Sequence, residues 1–191
     1  MIKIFFNLLV LFSLSGAAHA LDALVEEGTL EIRTSAFVPF SKRFSDVYGD
    51  VGASVGIEAT GKICGCYNGW IDLDFFPKSK RQGHCCKSQI DIYNASFGIN
   101  YFIPISCGIQ AYIGIGPSIS RIHIKNHSYC CKSERISRVV VGGIIKTGVY
   151  FDLCDPFYLN IFADYLYQPI HFHHTVDLGG IKAGIGLGIR L

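Results

Sequence analysis

Beyond its first twenty residues the chain contains no run of 18 apolar residues free of charges and turn signals, so membrane-spanning helices are excluded. Amphipathic helical stretches are missing too. Charged residues make up only 17% of the chain, against about 25% in typical soluble domains. The net charge of +2 is small and no basic stripe is present, which removes nucleic acid as a partner. No Gly-rich phosphate loop leads into a helix. What the chain does have is 21 glycines, 13% aromatic residues and a mean hydropathy of +0.34. These describe an exported, apolar chain rich in strands.

Export is read from the start. Lys3 provides a positive first segment and Ile4 to Leu14 an almost unbroken apolar one. Small residues follow, ending in Ala18-His19-Ala20, an A-x-A-type cleavage site. The apolar run is shorter than the roughly 20 residues a bilayer-spanning helix needs. Residues 1–20 are therefore expected to be a removable secretory signal, and residues 21–191 a single domain of about 170 residues.

The last eleven residues alternate without error. Ile181, Ala183, Ile185, Leu187, Ile189 and Leu191 share one face; Lys182, Gly184, Gly186, Gly188 and Arg190 share the other. A period of two is that of a strand. Seven earlier segments repeat it, at 30–40, 51–60, 71–75, 93–101, 109–116, 139–149 and 157–165. Connections at 41–50, 77–88, 125–136 and 169–177 are long and polar. Those near 61–68, 103–106 and 152–156 are short, and two carry a turn-forming proline, Pro104 and Pro156. Aromatics gather near segment ends as Phe37/Phe40, Tyr101/Phe102, Tyr150/Phe151, Phe157/Tyr158 and Tyr165/Tyr167, the placement that interfacial girdles need. Pro117 falls inside the fifth segment, and the apolar phase moves from odd positions (Ile109 to Ile115) to even ones (Ile122, Ile124). A bulge or kink between Pro117 and Arg121 is the expectation.

Eight strands with short turns at one end and long loops at the other describe an all-β, eight-stranded antiparallel up-and-down transmembrane β-barrel. Here the chain resembles the small outer-membrane barrels of the OmpA/OmpX/OmpW type, across the whole of residues 21–191. The resemblance implies a bacterial outer-membrane location, the lipid bilayer as partner, and short turns on the periplasmic side. It also implies a terminal aromatic residue used in assembly, where this chain has Leu191. The OmpW-type resemblance would imply a narrow channel for ions or small apolar solutes.

The face opposite the apolar one holds Gly, Asn and Ser with scattered charges, and lacks the Lys and Glu of a soluble surface. Its charges nearly balance: Glu31, Glu58, Asp72, Asp74 and Asp164 against Arg33, Lys146, Lys182 and Arg190. An eight-strand interior is just wide enough for side chains to fill, and charges are tolerated there only when paired. The expectation is a lumen filled by a charge-paired network. Glu31, Glu58 and Asp164 are the expected partners of Lys182 and Arg190, in a protein with a structural or surface-interaction role.

Eight cysteines in an exported chain read first as disulfides. Cys64, Cys66, Cys107 and Cys154 fall in or beside the short turns, where they could bond internally or to other envelope proteins. Cys85, Cys86, Cys130 and Cys131 fall in two neighbouring long loops, each as Cys-Cys-Lys-Ser. Zinc held by these pairs with His84, His123 and His127 is the alternative, but adjacent cysteines chelate poorly and an oxidising location favours disulfides. No metal or other cofactor is therefore assigned. His171, His173 and His174 read as exposed loop residues. Gly52-Ala53-Ser54-Val55-Gly56 matches a nucleophile elbow as a string, yet Ser54 lies in an alternating strand with no helix after it. A lipid-modifying enzyme using His127 and Ser128 or the 171–174 loop is the least favoured reading.

Overall fold

The computed structural model describes residues 28–41, 50–82, 86–128, 134–171, 175–177 and 179–191, without the side chains of 80–88, 125–136 and 170–178. The expected secretory signal lies outside these residues. Eight strands close into one antiparallel barrel: β1 (Gly28–Pro39), β2 (Gly52–Cys64), β3 (Tyr67–Gln82), β4 (Cys86–Ser106), β5 (Ile109–Ser128), β6 (Glu134–Cys154), β7 (Phe157–Tyr167) and β10 (Gly180–Arg190). Between β7 and β10, β8 (Pro169–His171) and β9 (Thr175–Asp177) form a separate two-stranded hairpin. Consecutive barrel strands are neighbours. The alternating C-terminal segment closes the ring against the first strand, from Thr29↔Arg190 to Pro39↔Gly180.

Three two-residue turns define one end: Gly65-adjacent Cys66, Cys107-Gly108 and Asp155-Pro156. Gly65 and Gly108 have φ of 55° and 77°, a left-handed backbone that side-chain-bearing residues rarely adopt and that tight hairpins require. Register shifts between Lys62 and Cys64, Pro104 and Ser106, and Asp152 and Cys154 bring each hairpin to its turn.

Strand lengths correct the sequence-based expectation. β3 to β6 contain 16, 21, 20 and 21 residues, well beyond the 9–11 that cross a bilayer. Much of 77–88 and 125–136, expected as loop, is therefore strand, and Cys86 opens β4. The link expected at 103–106 is also strand: Pro104 pairs with Gln110, and the turn follows at Cys107-Gly108.

Alternation puts one side chain of every two outside. Each barrel strand exposes a large apolar residue, among them Ile32 (64%), Ile57, Leu73, Phe97, Ile115 (67%), Val141, Ile161 and Leu187. Among the described residues, no other part of the protein covers this face. The register holds no bulge after Pro117. The paired residues pass from Ser96↔Ser118 to Ile99↔Ile115 in constant register, and β5 stays in phase with β6 throughout. Ile122 is even-numbered because it faces the lumen, where it is buried. The aromatic expectation is corrected by the same period of two. Adjacent aromatics cannot both face out, so Phe40, Tyr101, Phe157, Tyr165 and Tyr167 are exposed while Phe37, Tyr150 and Tyr158 are buried. Outward-facing rings pair across strands, as in Phe40–Tyr165 (5.6 Å between centroids), Tyr67–Tyr101 (5.2 Å) and Phe75–Tyr93 (4.9 Å).

Candidate functional site in the barrel lumen

The inward face fills the barrel with three kinds of side chain. Toward the long-loop end lies an apolar cluster including Phe37, Phe76, Ile90, Ile92, Ile122, Val140 and Leu166. Toward the turn end lie Tyr112, Tyr150 and Tyr158, with Phe162 above them and Phe102 packed alongside. Between the two clusters sit the charges.

Arg33 is the hub, 2% exposed. Its Nη1 donates to Glu58 Oε2 at 2.6 Å and approaches Asp72 Oδ2 at 3.4 Å; its Nη2 donates to Asp164 Oδ2 at 2.9 Å. Nε lies 3.4 Å from Glu31 Oε1. These four acids come from four strands, β1, β2, β3 and β7, so one guanidinium ties across the lumen. Its planar fork is suited to this, since it offers several donors in fixed directions. Phe162 lies beneath the cation, with 3.6 Å from Cζ to the ring centroid. Lys146 Nζ pairs with Glu58, lies 3.5 Å from Asp72 Oδ2, and sits 4.3 Å from the Trp70 ring centroid. Lys182 pairs with Asp74 and is 3.9 Å from Asp72.

The polar network continues on both sides. Asn160 Nδ2 donates to Glu31 Oε1 at 2.9 Å and contacts the Tyr112 hydroxyl at 3.3 Å. Toward the loop end, Gln168 Nε2 donates to Ser120 Oγ, to Asn94 Oδ1 at 3.1 Å and to Ser118 Oγ at 3.3 Å, bridging from the end of β7 to β4 and β5. Ser35 and Ser54 hydroxyls bond at 2.6 Å between β1 and β2. A buried charge costs several kcal/mol unless partners compensate it; these contacts supply part of that compensation, while one oxygen each of Glu31, Glu58, Asp72 and Asp164 is buried without a hydrogen-bond partner among the described residues.

The glycine side of β10 has a steric origin. A Cβ on Gly186 would collide with the Glu31 carboxylate, and one on Gly188 with the Tyr158 ring. Small residues on the closing strand leave room for large ones on its neighbours.

Eight of the nine charges expected in the lumen are brought together: Glu31, Arg33, Glu58, Asp72, Asp74, Lys146, Asp164 and Lys182. Arg190 is not among them. It stands at the end of β10, 42% exposed, and pairs with Asp152 at the rim, because the barrel mouth lets its long side chain reach water. Lys182 also departs from expectation. Asp164 is its register neighbour, but Arg33 holds that carboxylate and Lys182 turns to Asp74. The lumen thus holds five carboxylates to three cations. The apolar cluster and Gln168 were not singled out from sequence. The signal was the unbroken even phase from Ser118 and Ser120 into Ile122, and Leu166 on the polar side of β7.

Ser54, the centre of the G-x-S-x-G string, is a buried strand residue whose hydroxyl is bonded to that of Ser35. Cys64, Cys66, Cys107 and Cys154 are exposed free thiols at the turn end. Phe102 N donates to Cys66 O at 2.9 Å, so β4 runs five residues past Cys66 before reaching Cys107. At about 3.3 Å per residue, that separates the two by roughly 16 Å, beyond the reach of a disulfide. Cys85, Cys130 and Cys131, with His84, His173 and His174, lie outside the described residues, as do the side chains of Cys86, His127 and His171.

A closed eight-strand barrel with an apolar outer face and a packed polar lumen defines the class: this is the fold of the small outer-membrane barrels. Among solved structures, the Neisserial surface protein A matches with a TM-score of 0.66 and 14% identity, covering 86% of this chain and 97% of that one. Ail, the attachment invasion locus protein of Yersinia pestis, matches with a TM-score of 0.60 and 12% identity, covering 86% and 98%. The outer membrane protein OprG of Pseudomonas aeruginosa matches with a TM-score of 0.61 and 12% identity, covering 86% and 95%. At these identities the likeness is one of fold. No family model and no curated protein matches the chain.

Proposed function

We propose that this protein is a non-enzymatic barrel of the bacterial outer membrane, with its turn end in the periplasm and a structural or surface-interaction role. The observation that carries the reading is the lumen. Arg33 bonds to carboxylates from several walls at once, Lys146 and Lys182 fill beside it, and an apolar cluster covers the loop end. An ion crossing would have to displace paired buried charges and then pass an apolar constriction, each opposed by desolvation. The exposed apolar band supports insertion in lipid, since a soluble monomer rarely exposes so large a patch.

Planar-bilayer recordings of the refolded protein test the reading. It expects no steady conductance. Stable open levels that change when Lys146 or Asp164 is substituted would replace it with the narrow-channel reading.

The surface role extends to the cysteine-bearing segments at the long-loop end, which we take to be joined by disulfides among Cys85, Cys86, Cys130 and Cys131. On a detergent gel of unheated protein, reductant is expected to slow or broaden the folded band. Alkylation of all eight cysteines without prior reduction would contradict the linkage.

A further inference from the structure

The outward face of the barrel changes character near the long-loop end. On β3 to β6 the strands continue past the apolar band, and their odd-numbered positions stay on the outward face. Phe75, Tyr93, Arg121 and Val139 form one row in register. Tyr93, Arg121 and Val139 are exposed, and the Tyr93 ring meets Phe75 at 4.9 Å and His123 at 6.1 Å. Beyond this row, alternation assigns Arg81, Lys87, Lys125 and Arg135 to the same face. Asp91 is the one acid among these positions, and Gln89 Nε2 lies 3.2 Å from both of its oxygens. No stretch of sequence shows this set, because the five cations come from four strands and only pairing gathers them.

Two of the pairings set like charge against like. Arg81 is the register partner of Lys87, and Lys125 that of Arg135. Like charges directly opposite on antiparallel strands are destabilising, so these positions favour an anion from outside the chain. We propose that this face holds a phosphate-bearing lipid of the outer leaflet, with acyl chains along the apolar band and phosphates among the cations. Continuity decides for a lipid. Exposed Ile119, Val139 and Val141 stand on the same strands and in the same phase as Arg121, so one amphipathic molecule meets both regions. A soluble polyanion would use the cations and leave the adjoining apolar face idle. A zwitterionic lipid would bring its own ammonium against five cations. Phosphate oxygens accept the charge-assisted hydrogen bonds that guanidinium and ammonium groups donate. Because the protein supplies the cations, no divalent ion is needed to bridge the contact.

The inference rests on the proposed outer-membrane placement with the long-loop end outside. Retention is read in micelles, so it and bilayer conductance can fail separately. The test is native mass spectrometry of the refolded barrel in dodecyl maltoside with EDTA, given equimolar diphosphoryl lipid A and phosphatidylethanolamine. Lipid A is expected to be retained about tenfold more, the factor one charge-assisted hydrogen bond provides. Its dephosphorylated form should be retained no better than phosphatidylethanolamine. Arg121→Gln with Lys125→Gln and Arg135→Gln should abolish the preference, while Lys62→Gln with Arg190→Gln at the turn end should leave it unchanged. Heat-modifiable migration confirms that each variant is folded, since none of these positions belongs to the charged lumen. Equal retention of phosphorylated and dephosphorylated lipid, loss of the preference under EDTA or an unchanged triple variant would each overturn the proposal. Displacement of lipid A by an equimolar heparin oligosaccharide would overturn it in favour of a soluble polyanion.

Discussion

Arg33 shows how much one residue determines in a narrow barrel. It is buried, it touches four carboxylates, and its charge has no route to water. Removing it leaves those acids facing one another with only the two lysines to offset them. Arg33→Ala is expected to destabilise the barrel by about 3–5 kcal/mol, the cost of breaking a buried pair. Arg190→Ala removes an exposed pair and is expected to cost no more than about 1 kcal/mol. Urea unfolding in lipid vesicles measures both, and equal effects would show that the lumen is wetter than its packing implies. Sequence alone could not separate these two arginines. Both occupy lumen-facing positions of alternating strands, and only the height of Arg190 at the mouth distinguishes it. The pairing of Lys182 was equally hidden. Register places it beside Asp164, but side-chain reach and competition with Arg33 decide that it meets Asp74.

At the scale of the strand, alternation was legible and its consequences were mostly correct. β10 pairs with β1 along its length and presents glycines inward. Those glycines admit Glu31 and Tyr158 from neighbouring strands, so substitution there should act through packing. Gly186→Val is expected to cost about 1–3 kcal/mol, the range for overpacking a filled core. Gly143→Ala should be nearly neutral, because the nearest atom to an added Cβ is 3.7 Å away. The fraction of each variant in the folded, heat-modifiable form checks this difference. What alternation could not supply was the end of each element. Polar residues at 77–88 and 125–136 read as loop, yet strands extending past the bilayer into water carry polar side chains too. A phase change in apolar residues likewise has two causes. Around Pro117 it looked like a kink in the backbone. The backbone keeps its phase, and apolar side chains have moved to the inner face, where Ile122 packs with Ile90 and Ile92 in a buried cluster.

For the whole molecule, eight alternating segments and the rhythm of long and short connections were enough to identify a closed barrel. Chain closure needs an even set of antiparallel neighbours, and each short turn forces two of them together. The choice of which face meets lipid is the step on which the outer-membrane reading depends. It rests on outward Ile, Leu, Val and Phe in every strand and on inward charges gathered around Arg33. The single tryptophan, Trp70, reports on this choice directly. It faces inward, 2% exposed, against Lys146, whereas Ile115 faces outward on β5. The protein refolded into vesicles of lipids brominated along their acyl chains should keep Trp70 fluorescence close to that in unbrominated lipid. A variant carrying Trp70→Phe and Ile115→Trp should lose most of its emission in the same vesicles. Strong quenching of native Trp70, or an Ile115→Trp signal quenched only by a water-soluble agent, would mean that the faces are reversed and the barrel is not held in lipid.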